Sequence, residues 1–121
     1  MRKRGWWLGL ILLACAPALA ACPPAGQGRA GLQALKAAGF AVADPAGKQA
    51  LAMVLVDCLG DPDPLLRDAI AYEALQHWMR AGDFDAAFLR RVRDALFVRL
   101  DGPDPQGVLH PFAALVLAEV A

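Results

Sequence analysis

The chain has 121 residues, 58% of them hydrophobic, with 12 basic residues against 12 acidic ones. That length allows one domain. A formal net charge of +0 argues against a protein that holds nucleic acid on a cationic face. The first residues set the address. Arg2-Lys3-Arg4 precede "GWWLGLILLACAPALAAC", a basic start, an apolar run and then small residues, which is the build of an export signal. The uninterrupted apolar run stops at Pro17, short of the ~20 residues that cross a bilayer.

The end of that signal carries more. Leu19-Ala20-Ala21-Cys22 resembles the bacterial lipobox, in which small residues precede a cysteine that becomes the mature N-terminus. The resemblance implies that the Cys22 thiol takes a diacylglycerol and that the peptide is cut before it. Several acyl chains on one residue would then anchor the protein stably, on the periplasmic side of the outer membrane. Pro23 follows Cys22, where an Asp would signal retention at the inner membrane. Leu12-Leu13-Ala14-Cys15 is a poorer copy, too early in the apolar run. Ala18-Leu19-Ala20 also fits ordinary cleavage, which would release a soluble periplasmic protein. With Cys15 removed and Cys22 acylated, Cys58 is left as a lone packed thiol, and no internal disulfide is expected. Loss of Arg2, Lys3 and Arg4 turns the net charge to −3, again away from nucleic acid.

Residues 22–30, "CPPAGQGRA", are rich in Pro and Gly and read as a tether. From residue 31 to 121 the periodicity is helical, with no alternating run to support a strand. Leu32, Leu35 and Ala38 open a first helix that stops near Gly39. Asp44-Pro45 caps and starts a second, whose Leu51, Leu55, Cys58 and Leu59 mark a buried face up to Gly60. Asp63-Pro64 starts a third that reaches about Arg80, before Gly82. A fourth runs from about Asp85 to Leu100, and a last begins near Leu109.

Short connections between such helices predict antiparallel hairpins. Asp61-Pro62 and Asp104-Pro105 lie 43 residues apart, and in that register Leu66 falls on Leu109, Ile70 on Ala113, Ala71 on Ala114 and Leu75 on Ala118. A two-helix period of this length is the HEAT/armadillo spacing. The expected fold is all-α, with the hairpins stacked as a short HEAT-like α-solenoid. The sequence stops at Ala121 with no polar covering helix, so the domain is expected to be incomplete at its C-terminus.

The stretch "CLGDPDPLLRDAIAYEALQHW" holds the densest chemistry. Glu73 and His77 stand at i, i+4 on one side of a helix, with Arg80 three residues on. They are candidates for an acid/base pair or two metal ligands; the alternative is a surface ion pair with Arg80. No His, Cys or Asp completes a metal set at diagnostic spacing, and the other histidine, His110, sits beside Pro111 at a helix start. No metal or cofactor is therefore expected. Arg67 and Asp68 are expected to make polar contacts between helices, Arg67 with Asp63 or with a neighbouring helix. Tyr72 and Trp78 are expected as core anchors whose polar atoms find backbone carbonyls. Arg90, Arg91 and Arg93 form a basic cluster, read as a solvated face with Asp94 at i+4 from Arg90, or else as a contact for acidic envelope material.

"CLGDPDPLLRDAIAYEALQHWMRAG" together with "HPFAALVLAEVA" resembles a bacterial family catalogued as a domain of unknown function, number 2785. The start "CPPAGQGRAGLQALKAAGFAV" is similar to exported members from Xanthomonas-like bacteria. The resemblance implies an all-helical, HEAT-like domain of unassigned activity. It also implies further helices beyond this chain's end, including a stretch rich in Trp, Arg, Gly and His. The sequence thus predicts an envelope lipoprotein whose helical module is a scaffold for a protein or envelope component, and not an enzyme. The alternatives are a hydrolase or metal-dependent enzyme completed by a missing C-terminal part, and a soluble periplasmic protein or non-functional fragment.

Overall fold

A computed structural model describes residues 22–24 and 26–121; the export signal and both cleavage points before Cys22 lie outside them. The described residues are helical, with no strand among them. Helix α1 spans Gly28–Ala37, α2 Pro45–Asp57, α3 Glu73–Arg80, α4 Ala86–Asp101 and α5 Leu109–Val120. A 3-10 turn, Cys58–Gly60, follows α2, and a π-helical segment, Leu65–Tyr72, leads directly into α3.

Two of the turns close by the same local chemistry. After α1, Gly39 adopts φ 66°, its N–H bonds the Lys36 carbonyl and the next N–H reaches back to Leu35. After α3, Gly82 adopts φ 73°, bonding Met79 while Asp83 N–H reaches Trp78. Both are left-handed glycine stops that satisfy the last carbonyls of a helix. An aspartate then restarts the chain each time: Asp44 accepts from Gly47 N–H and Asp85 from Phe88 N–H, each filling a donor the first helical turn leaves free. The last helix is started differently. Asp104 accepts from the N–H groups of Val108, Leu109 and His110, so one carboxylate lying ahead of α5 serves its whole first turn.

Packing is between neighbours. α1 lies on the π-helical segment, α3 on α5, and α2 on α4, with α4 and α5 forming the most extensive pair. The core between them contains Leu32, Leu55, Ile70, Trp78, Val92 and Val116 among its fully buried side chains. Among the described residues no charged or polar residue is buried. Gly60 is needed for closeness and not for its backbone angle: a Cβ there would stand 3.3 Å from Leu109 Cβ, so its bare backbone lets α5 approach the 3-10 turn.

The expected 43-residue echo holds only in part. Leu66 and Leu109, then Ile70 and Ala113, face the core together, but Ala114 and Ala118 are exposed. Beyond Ile70 the matching core positions are Ala74 with Val116, Leu75 with Leu117 and Trp78 with Val120, an offset of 42. The π-helical segment accounts for the difference. Its wider turns, with Glu73 N–H reaching the Asp68 carbonyl five residues back, take up one residue more than an α-helix does over the same rise.

The cysteines overturn the expected tether. Cys22 and Cys58 are joined as a disulfide with Cα atoms 5.1 Å apart, inside the usual range for such a bond. Cys22 is 7% exposed and Cys58 fully buried. Cys58 is therefore not a lone thiol, and residue 22 is fixed to the core instead of starting a loose leash. The Pro24 carbonyl accepts from Gln27 N–H, and α1 begins at Gly28, three residues ahead of the expected start of the domain.

Candidate functional site

Three places gather chemistry-bearing side chains: the shelf around Glu73 and His77, the disulfide corner, and a groove between α4 and α5.

The shelf is lined by Phe40, Glu73, Gln76, His77 and Arg80. Glu73 and His77 do lie on one side of α3, as their spacing predicts, but they are not a pair. The Glu73 carboxylate takes the Lys36 ammonium at 2.5 Å, and Lys36 also donates to the Ala69 carbonyl. Arg80, expected as the rim partner of Glu73 and His77, instead makes a two-nitrogen contact with Glu119 of α5 at 2.9 and 2.7 Å. His77 is exposed and sits against the Phe40 ring, centroids 5.8 Å apart. Neither charged neighbour hydrogen-bonds the imidazole: Glu73 takes Lys36 and Arg80 takes Glu119. Among the described residues no cluster of three or more His, Cys, Asp or Glu could hold a metal ion.

Beneath the shelf, Trp78 Nε1–H donates to the Phe40 carbonyl at 2.9 Å, the backbone partner expected for a buried indole. Phe40 itself has φ 62°, a left-handed geometry that side-chain-bearing residues rarely take. The Trp78 bond and the packing of the Phe40 ring hold it there. Tyr72, in contrast, meets a side chain: Gln76 Nε2 donates to its hydroxyl and also to Glu119.

Arg67 does join helices, but not through an acid. Its Nη1 donates to the Asp61 and Pro62 carbonyls, and its guanidinium lies 5.2 Å from the centre of the Phe112 ring on α5. Its Nε is buried without a partner. Asp63 is taken by Arg29, and Asp68 is exposed and bridges nothing among the described residues. The ion pairs that tie helices together are others: Arg29–Asp63, Lys36–Glu73, Arg80–Glu119 and Arg99–Asp57. Their partners stand 34 to 42 residues apart in sequence, beyond the reach of any local spacing rule.

Three carboxylates are held in their charged form. The Arg29 guanidinium lowers Asp63, the Arg80 guanidinium lowers Glu119, and the N–H of His110, then that of Leu109, lowers Asp104. A carboxyl with a depressed folded-state value stabilises the fold above its unfolded value, about 4, and that contribution is lost as pH falls through the folded value. The thermal midpoint is therefore expected to be flat above about pH 5 and to fall below about pH 4. Asp104→Asn should lower the midpoint at neutral pH and make the acid fall shallower, measured by circular dichroism melts across pH. An unchanged acid limb in this variant would remove Asp104 from the account.

The third place was only half visible in the sequence. Leu89, Arg90, Arg93 and Phe97 of α4 face Leu117 and Val120 of α5 across an open groove with a cavity volume of about 480 Å³. Its lining is mostly apolar, and Phe97 is 50% exposed. Arg93 pairs with the adjacent Asp94, whereas the expected Arg90–Asp94 contact does not form, and Arg91 lies over the Phe88 ring instead. The sequence shows a basic cluster here; it does not show that two of its arginines interrupt an apolar wall.

The chain matches no protein-family model, no curated protein and no solved structure.

Proposed function

We propose that this protein is an exported helical binding module of the bacterial cell envelope, a scaffold for a protein or envelope component and not an enzyme. Its helices are arranged as hairpins in a short HEAT-like stack, in keeping with the resemblance to the domain of unknown function 2785 family. The observation that carries the reading is the buried Cys22–Cys58 disulfide. Such bonds form and persist in oxidising compartments such as the periplasm, and the first 21 residues have the build of an export signal. The stack is supported by contacts between alternate helices, α1 on the π-helical segment, α2 on α4 and α3 on α5, and by the repeated glycine stop and aspartate start of two turns. Binding is favoured over catalysis because Glu73 and Arg80 of the shelf are engaged in ion pairs with Lys36 and Glu119.

The lipobox-like Leu19-Ala20-Ala21-Cys22 supports a second reading, a lipoprotein anchored to the outer membrane through Cys22. The two readings compete for one sulfur, since a thioether at Cys22 precludes the disulfide. Fractionation of the envelope with intact-mass measurement and alkylation of the denatured protein separates them. The expected result is a soluble periplasmic chain starting at Ala21, with no thiol alkylated before reduction and two afterwards. A membrane-bound chain, heavier by acyl groups and carrying one reactive thiol without reductant, would establish the lipoprotein instead. Retention in the cytoplasm with both thiols free would overturn export itself.

A further inference from the structure

We infer that the α4–α5 groove is a docking site for an acidic amphipathic helix of a partner protein. The inference rests on the binding-module reading and supplies the chemistry of its partner.

Residues Ala86, Arg90, Arg93 and Phe97 line the groove along α4. Their spacings are four, three and four, the spacing of a coiled-coil seam, which lets one helix lie along another. The inward face of α4 is separate: Phe88, Val92 and Leu96 fill the core, so the seam is not part of that buried face. It spans 11 residues of helix, ~16 Å, or about three turns of a partner. The second wall, Leu117 and Val120 of α5, makes the site a trough and not a single ridge, the arrangement that receives a helix by its apolar stripe.

Charge identifies the occupant. The middle two rungs are Arg90 and Arg93, with apolar Ala86 and Leu89 at one end and Phe97 at the other. Asp94 is the acid that meets Arg93, and Arg90 has no acidic partner among the described residues. Two other acids of these helices are engaged elsewhere: Asp85 caps α4 and Glu119 holds Arg80. A helix that covered this trough with apolar residues alone would desolvate the arginines without compensation. A helix with Asp or Glu on the two central rungs and apolar residues at both ends satisfies both parts. A second copy of this chain fits poorly, because a two-fold pairing would set the arginines of one face against the same arginines of the other. The openness of the trough along Arg90 and Phe97, both exposed, also suits a helix better than a small ligand, which is normally enclosed over most of its surface.

The test uses the oxidised protein and two synthetic helical peptides with Leu at i, i+3, i+8 and i+11. One peptide carries Glu at i+4 and i+7, the other Lys. In fluorescence anisotropy at low salt the Glu peptide should bind saturably and at least tenfold more tightly than the Lys peptide. The order should reverse on the double variant R90E/R93E and collapse to near equality on R90Q/R93Q, with helicity of each variant verified by circular dichroism. Equal binding of the two peptides, no saturable binding of the Glu peptide, or an order unchanged in both variants would overturn the inference. So would concentration-dependent dimerisation abolished by Leu89→Asp, which would give the face to a second copy. None of these outcomes touches the disulfide or the export address, which the fractionation experiment decides separately.

Discussion

Trp78→Ala is expected to cost about 3–5 kcal/mol, the range for truncating a large buried aromatic, and to leave the protein at the edge of folding. Trp78 is fully buried and stacks edge-on against both Phe40 and Phe84. Its removal opens a cavity where α3, the turn after α1 and the turn before α4 meet. Domains of this size hold only about 5–15 kcal/mol in total, so such a loss is a large share of the whole. Trp78→Phe separates the two contributions. It retains most of the apolar body but leaves the Phe40 carbonyl without its donor, which should cost about 1–3 kcal/mol for a buried unsatisfied group. Urea unfolding of both variants reads the difference. If Trp78→Phe proved as damaging as Trp78→Ala, the hydrogen bond and not the packing would be the dominant part.

Reduction of the disulfide, or Cys58→Ser, is the second large effect. Cys22 and Cys58 enclose a span of 36 residues, and closing a loop of that length in the unfolded chain stabilises the fold by ~3–4 kcal/mol in the chain-entropy account. The loop contains all of α1 and α2, so the loss should be cooperative and not confined to a frayed start. Melting with and without reductant should show a drop of well over 10 °C, given roughly 4–8 °C per kcal/mol for a domain of about 100 residues. The Cys22→Ser, Cys58→Ser double variant should match the reduced protein, since the two then lack the same constraint. A melting temperature indifferent to reductant would mean that the bond is absent from the protein in solution.

How much of this was legible beforehand follows from the range of each interaction. Helix ends were readable because their causes are local. Gly39 and Gly82 take left-handed angles only three residues from the carbonyls they satisfy, and Asp44 and Asp85 bond donors three residues on. The role of Trp78 was readable as type, an aromatic that needs a carbonyl, but not as partner, because Phe40 lies 38 residues away.

The ionic contacts of Glu73 and Arg80 were misassigned for the same reason. Helical spacing placed these two with His77, while the folded chain offered Lys36 and Glu119 from neighbouring helices. Those partners are half-buried charges with no sequence mark. The disulfide had a signal that went unused. Two cysteines remain once Cys15 leaves with the signal, and only the assignment of Cys22 to a lipid hid the pair. In the groove, the seam spacing of Ala86, Arg90, Arg93 and Phe97 was present in the sequence, yet a run of arginines reads as a solvated surface until α5 is seen beside it.

The π-helical segment Leu65–Tyr72 sets an angular phase. Each residue added to or removed from a helix turns everything beyond it by about 100° relative to what came before. Glu73, His77 and Arg80 point where they do because one additional residue has been wound into the turns ahead of them. A chain shorter by one residue between Leu65 and Tyr72 would carry throughout the 42-residue offset that Ala74, Leu75 and Trp78 already keep with Val116, Leu117 and Val120. The segment works as a vernier between neighbours: the π-helical residues lie on α1 and the 3-10 turn, and those of α3 on α5.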